Sequence, residues 1–129
     1  MKLRSWSFAV ALALTALLLP AHGASAAPAN KAADHPACAD GHVCFWSRAG
    51  FRGTTWSWPA GSGYRDMPPR LHDHVGSFVS NIDGGAACFV NWEPFEKRDV
   101  MKGHWRSDYL DDFGGRIDGV DSYVDGVCP

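Results

Sequence analysis

Four cysteines are the residues of this chain whose spacing bears most directly on chemistry. Cys38 and Cys44 enclose five residues, whereas Cys88 and Cys128 stand in the middle and at the end of the chain. Three disulfide pairings exist for four cysteines. Pairing Cys38 with Cys44 would close a local hairpin, and Cys88 with Cys128 would then restrain a longer loop, which stabilises more. Zinc binding by these cysteines is disfavoured because no Cys-x-x-Cys occurs, so we expect structural disulfides.

Histidine and carboxylate pairs are the other candidates for chemistry. His72 and His74 would point the same way on a strand and could bind a transition metal. No third ligand is near them in sequence, so exposed loop histidines are the simpler interpretation. Glu93 and Glu96 could be a glycosidase pair, but a chain with 14 acidic residues offers such pairs by chance. No nucleophile elbow, zincin motif or phosphate loop occurs, and the sequence predicts no enzyme.

Composition limits the classes of partner. Twelve basic residues against 14 acidic ones and a pI near 6.3 argue against nucleic acid, which requires a concentrated basic surface. Apolar residues make up 46% of the 129 residues, and six are tryptophans. Such a chain can bury a core, and its length is that of a single domain.

The first 26 residues have the pattern of a secretory signal peptide. Lys2 and Arg4 precede an apolar stretch over residues 8–19, and Ala-Ser-Ala at 24–26 fits the cleavage pattern. That stretch is too short to span a bilayer, which needs roughly 20 residues. We therefore predict a secreted, extracellular protein that leaves the membrane after cleavage. The mature chain would lose two basic residues, which changes its formal net charge from −2 to −4.

An internal repeat organises the rest of the chain. After a predicted flexible arm over residues 27–36, one domain covers residues 37–129, with units at about 37–82 and 83–129. The units match at an offset of 44 to 45 residues. The matched segments are Cys44-Phe45 with Cys88-Phe89, Phe51 with Phe95, Tyr64-x-Asp66 with Tyr109-x-Asp111, and Val75–Val79 with Val120–Val124.

Short alternations of apolar and aromatic residues, separated by glycines, predict strands rather than helices. About four strands per unit would give eight strands in a two-sheet sandwich, because neither unit could close a core alone. The strand-like segments are residues 43–46, 54–58, 77–79, 87–90 and 122–124. Trp56 and Trp58 share one strand face and are mostly expected in the core. If one of them projects, with Trp92 or Trp105, it could anchor a partner or stack on a sugar.

These residues resemble a known family. Trp46-x-x-x-x-Phe51-x-Gly53 is similar to the βγ-crystallin Greek-key signature, and Ser77 and Ser122 correspond to the serine of its last strand. Cys-x-x-Gly-x-x-Cys-Phe-Trp at residues 38–46 resembles secreted bacterial members of the metalloproteinase-inhibitor family of that fold. The resemblance implies an all-β protein in which two Greek-key motifs form a βγ-crystallin-like sandwich stapled by disulfides.

The second unit departs from the signature. Val90 stands where the first aromatic belongs, and Lys97 stands where the glycine belongs. Trp92 could take the place of the aromatic if the hairpin is rearranged around Pro94. We therefore expect the second unit to be the less regular one.

The resemblance also implies a calcium site, since βγ-crystallins often bind calcium through Asn/Asp-Asn/Asp-x-x-Ser/Thr-Ser. The corresponding segments are residues 72–77 and 117–122. Their first positions are His and Ile, whose side chains give calcium no oxygen. The alternative is that the acidic and serine residues only fix turns through local hydrogen bonds. No other cofactor is expected, and the implied calcium ligands are Asp73, Ser77, Asp118 and Asp121.

The implied function is inhibition of a secreted protease, with a rigid loop held in the enzyme's cleft by the sandwich and a disulfide. Phe89 would suit a thermolysin-like cleft, but it also has the pattern of a core strand residue, so no reactive loop is assigned. The alternatives are a calcium-stabilised structural or envelope-associated module and a small secreted toxin or antimicrobial of the same fold. A monomer is expected in each case.

Overall fold

The computed structural model describes residues 34–122 and residue 128. The predicted signal peptide, most of the predicted arm and the end of the second repeat at residues 123 and 124 lie outside the described residues. The strands are β1 His42–Arg48, β2 Arg52–Pro59, β3 Arg65–Asp66, β4 Ser77–Asn81, β5 Ala86–Trp92, β6 Phe95–Met101, β7 Trp105–Arg106 and β8 Gly119–Ser122, with a 3-10 turn at Gly114–Arg116.

The strands form two four-stranded antiparallel sheets, with the orders β2-β1-β4-β7 and β3-β8-β5-β6. In each unit a hairpin and a returning strand make three neighbours, β1, β2 and β4 in the first and β5, β6 and β8 in the second. The remaining strand pairs with the other unit: β3 lies beside β8, and β7 lies beside β4. The predicted eight-stranded sandwich is confirmed. The exchange of one strand between the units was not predicted.

The core lies between the sheets because alternate residues of each inner strand point inward. Phe89 is fully buried at its centre, with its ring centroid 5.1 Å from Phe78 and 5.3 Å from Phe45. Burying one such ring stabilises by about 2–3 kcal/mol. Trp58 is buried and Trp56 is partly buried against the core, as expected. Phe89 is therefore a packing residue, unavailable to a protease cleft.

The first hairpin has the geometry that its signature predicts. The Trp46 and Phe51 rings meet edge to face at 5.4 Å, and Gly53 has φ +87°. A Cβ on Gly53 would lie 2.4 Å from the Ser47 hydroxyl oxygen. The buried Ser77 hydroxyl donates to the Arg48 carbonyl at 2.8 Å and accepts from the Phe51 N–H at 3.0 Å. The hairpin is thereby folded over and tied to β4.

The second hairpin is paired more regularly than the first, although we expected the second unit to be the less regular one. Seven residue pairs, from Ala86 with Met101 to Trp92 with Phe95, join β5 and β6 without a shift. The β1–β2 pairing, in contrast, shifts register between Trp46 and Arg48. Because Lys97 replaces the glycine that allows the fold-over, β6 continues straight along β5.

Two disulfides join Cys38 to Cys44 and Cys88 to Cys128, with Cα–Cα distances of 5.8 and 5.5 Å. They match the local and long-range pairing considered from the sequence. The first disulfide links the segment before β1 to β1 itself. The second brings Cys128 beside β5, where its carbonyl accepts a hydrogen bond from the Lys97 amine at 2.7 Å.

Candidate functional site

The end of the β5–β6 hairpin carries two exposed aromatic side chains. Trp92 and Phe95 are 55% and 56% exposed, although they form the last residue pair of the hairpin. Their rings stack at 5.5 Å with an angle of 14° between the planes. Glu93 and Pro94 make the turn between them and are also exposed. We call residues 92–95 the aromatic tip.

Hydrogen bonds to two other segments and one within the hairpin hold the aromatic tip in place. The Trp92 indole N–H donates to the Tyr64 hydroxyl at 2.8 Å, and their rings lie 5.5 Å apart. The Trp92 backbone N–H donates to the Asp118 carboxylate at 2.5 Å. On the hairpin itself, the buried Asn91 amide donates to the Pro94 carbonyl at 3.0 Å. A tip held this way has little conformational entropy to lose on binding.

Polar and charged groups surround this apolar centre. The Tyr64 hydroxyl donates to the Asp66 carboxylate at 2.8 Å. Burial raises the pKa of Tyr64, and the hydrogen bond to Asp66 raises it further, while the bond from Trp92 acts in the opposite direction. The Lys97 amine lies 5.4 Å from the centre of the Phe95 ring. An apolar centre with a polar rim is the usual arrangement of a protein-binding surface.

The structure brings together two of the four implied calcium ligands. Asp73 from the first unit and Asp118 from the second flank the His72 ring. His72 Nδ1 lies 3.2 Å from Asp73 Oδ2, and His72 Nε2 lies 3.3 Å from Asp118 Oδ1. Ser77 is fully buried, with its hydroxyl engaged in the first hairpin. Asp121 lies on β8, where its carboxylate accepts from the Ser122 N–H at 2.7 Å. Calcium binding stays a prediction.

The two histidines do not form a pair. His72 belongs to a turn and His74 to irregular backbone, so the loop interpretation is confirmed and the strand alternative is wrong. His74 lines a separate surface depression with Arg48 and Arg70. The neighbour of His72 is Asp118, 46 positions away in sequence.

Sequence reasoning missed that neighbour because it searched only nearby residues. The repeat contained the signal, since residues 72–77 and 117–122 are equivalent segments of two packed units. The two segments meet in the structure, where the Asp73 N–H donates to the Ile117 carbonyl at 3.0 Å. A second cluster, Cys88, Cys128 and Asp99, offers no thiolate because both sulfurs are in the disulfide.

No helix among residues 34–122 is long and apolar enough to cross a membrane. The fold is similar to a solved structure from a study of the evolution of the eye lens beta-gamma-crystallin domain fold. That likeness has a TM-score of 0.50 and 19% identity, and covers 67% of this chain and 87% of that one. The chain is therefore an all-β module with the βγ-crystallin fold.

The family follows from sequence comparison. The model of peptidase inhibitor family I36 matches residues 31–93, which end inside the aromatic tip. An uncharacterized gerABC family protein of Dictyostelium discoideum is 38% identical over 87 residues, which are 67% of this chain and 76% of that protein. A second gerABC family protein of that organism is 32% identical over 67% of this chain and 64% of its own length. A third is 28% identical over 72% of this chain and 49% of its own length. The chain belongs to the family of these gerABC proteins, and its residues 31–93 match the model of peptidase inhibitor family I36.

Proposed function

We propose that this protein is a secreted inhibitor of a metallopeptidase and that the aromatic tip is the part that enters the enzyme. The observation that carries the proposal is the exposure of two stacked aromatic rings on a hairpin held by Tyr64, Asn91 and Asp118. The match of residues 31–93 to a peptidase inhibitor family supports a peptidase as the partner. The protein is proposed to act by binding, without chemistry of its own, as a monomer.

The tip has the properties that inhibition by cleft occupation requires. Trp92 and Phe95 present rigid apolar surface, which suits the apolar pocket of a thermolysin-like cleft. Glu93 lies at the apex, where its carboxylate could approach the enzyme's catalytic metal, since carboxylate oxygens are zinc ligands. Because hydrogen bonds on both sides of the turn hold the backbone, the tip resists the rearrangement that cleavage requires.

Two disulfides support an extracellular site of action, because disulfides form and persist in oxidising compartments. Secretion through the signal peptide at residues 1–26 belongs to the same proposal. Cleavage after Ala26 can be checked by N-terminal sequencing of the exported protein.

The test is a panel of secreted metallopeptidases and serine peptidases assayed with purified protein. Trp92→Ala and Phe95→Ala are each expected to weaken inhibition of the susceptible enzyme by about thirtyfold, the effect of losing a binding anchor worth about 2 kcal/mol. Met101→Ala is the matched control, since Met101 is 51% exposed at the other end of the same hairpin. The proposal fails if no peptidase is inhibited at micromolar concentration, or if Met101→Ala weakens inhibition as much as the tip variants.

A calcium-stabilised structural module is the second candidate, favoured by the meeting of Asp73 and Asp118 at the junction of the units. It predicts that calcium raises the melting temperature and changes tryptophan emission. An unchanged melting curve in excess calcium would remove this candidate.

A further inference from the structure

We propose that His72, Asp73 and Asp118 form a binding site for a transition metal ion of the zinc type. One ligand atom from each of the three residues lies within 4.8 Å of the other two. The donors are one imidazole nitrogen and the carboxylate oxygen that faces it, while the second carboxylate accepts from the other ring N–H. His72 and Asp73 belong to the first unit and Asp118 to the second. His72 and Asp73 are exposed, so an ion can enter from solvent and complete its coordination with water.

The distances fit one small ion. Zinc binds nitrogen and oxygen ligands at about 2.0–2.2 Å, which places two ligands of a tetrahedral site about 3.3 Å apart. His72 Nε2 lies 3.3 Å from Asp118 Oδ1, and His72 Nδ1 lies 3.2 Å from Asp73 Oδ2. An ion can therefore bind on either side of the ring with little movement of the side chains.

The ring has a second reason to hold a cation. A neutral imidazole has a single N–H, so it can donate to only one of the two carboxylates that it faces. Its other nitrogen then directs a lone pair at a carboxylate oxygen, which is repulsive. A metal ion between that nitrogen and that carboxylate turns the repulsion into two bonds. The remaining N–H donates to the other carboxylate, which is the arrangement that orients metal-bound histidines in proteins.

The scaffold fixes the two halves of the site. Asp118 is the less exposed carboxylate, and its Oδ2 accepts from the Trp92 backbone N–H. Its own backbone N–H donates to the Val90 carbonyl at 2.8 Å, and its carbonyl accepts from the Met67 N–H at 2.8 Å. Asp73 is tied to the neighbouring segment by its bond to the Ile117 carbonyl.

The donor set favours a zinc-type ion over calcium. Calcium takes six to eight oxygen ligands, whereas this cluster offers an imidazole nitrogen and has no serine hydroxyl to add, because that of Ser77 is engaged in the first hairpin. Imidazole with carboxylate suits zinc, nickel or copper. The histidine at the first position of the calcium-like segment thus changes which metal this junction can hold.

The site does not depend on the proposed inhibition, but it adjoins the aromatic tip through Asp118 and Trp92. Titration calorimetry of the full protein with zinc chloride is expected to give one ion per chain, and copper(II) is expected to quench tryptophan emission. His72→Ala should weaken zinc binding at least about tenfold. His74→Ala, a histidine two positions away outside the cluster, should leave it unchanged.

His72 is an exposed turn residue, so His72→Ala should fold normally, which circular dichroism and its melting curve in chelator can verify. In wild-type protein zinc should raise the melting temperature, and in His72→Ala it should not. The proposal is overturned if wild-type protein binds no zinc, if His72→Ala binds it equally well, if His74→Ala loses it, or if calcium binds as tightly as zinc.

Discussion

At the scale of single residues, the first hairpin depends on backbone conformations that a side chain obstructs. Gly53 and Gly103 have similar positive φ values, +87° and +79°. They differ in surroundings, since a Cβ on Gly53 would lie 2.4 Å from the Ser47 hydroxyl oxygen and one on Gly103 would meet nothing within 4 Å. Alanine substitutions at these two glycines therefore separate the cost of a left-handed backbone conformation from the cost of a steric clash.

We expect Gly103→Ala to lower the free energy of unfolding by about 1 kcal/mol, the cost of a left-handed conformation. Gly53→Ala should lower it by at least about 1 kcal/mol more, because Ser47 must move and its hydrogen bond to the Thr54 N–H is strained. Urea unfolding of both variants provides the comparison. Equal losses in the two variants would show that crowding at Gly53 is relieved without cost.

Two tyrosines should make the protein sensitive to high pH. Burial raises the pKa of Tyr109, and burial raises that of Tyr64, so each folded-state pKa lies above the ordinary value of 10.0. A raised pKa means that the folded state holds its proton where the unfolded state has lost it. The stability from these phenols is therefore complete below pH 10 and is lost as the pH rises further.

Tyr109→Phe should reduce this alkaline loss of stability, because Tyr109 is the more buried of the two phenols and its pKa is raised the further. Tyr64→Phe is the comparison, with a smaller effect. The measurement is the free energy of unfolding at neutral and alkaline pH for all three proteins. An identical pH dependence in wild type and Tyr109→Phe would contradict the prediction.

At the scale of elements, the strands that could be predicted from the sequence are those with buried apolar residues. β1, β2, β4 and β5 were found because each contains a short alternation or run of apolar and aromatic residues. β6 was missed because six of its seven residues are polar or exposed, as is common for a strand at the edge of a sheet. β3 and β7 contain two residues each, too few for any periodicity to register.

The two disulfides should contribute unequally. Cys38 and Cys44 are six positions apart, and Cys88 and Cys128 are 40 apart. On the chain-entropy model these loops correspond to about 2 and about 4 kcal/mol. The double variant Cys88→Ala/Cys128→Ala should therefore melt at a lower temperature than Cys38→Ala/Cys44→Ala. The reverse order would show that the short disulfide has a larger role in organising β1 than its loop length indicates.

At the scale of the whole molecule, the candidate sites were only partly accessible from sequence. Of the aromatic tip, the sequence singled out only Trp92, as one of the tryptophans that could contribute to a binding surface. Its partner Phe95 was hidden because the repeat matched it to Phe51, which packs against Trp46 in the first hairpin. The cluster at His72 was invisible because its third member, Asp118, arrives only when the two units pack together.

That packing makes the two units mutually dependent, since each contributes one strand to the other's sheet. The central ring contact, Phe45 with Phe89, also joins residues of different units. Units of fewer than 50 residues bury little surface alone. We therefore expect residues 37–82 and 83–129, produced separately, to lack cooperative thermal unfolding by circular dichroism, each leaving half of the core uncovered. A cooperative transition in either isolated unit would show that the exchanged strands are dispensable for folding.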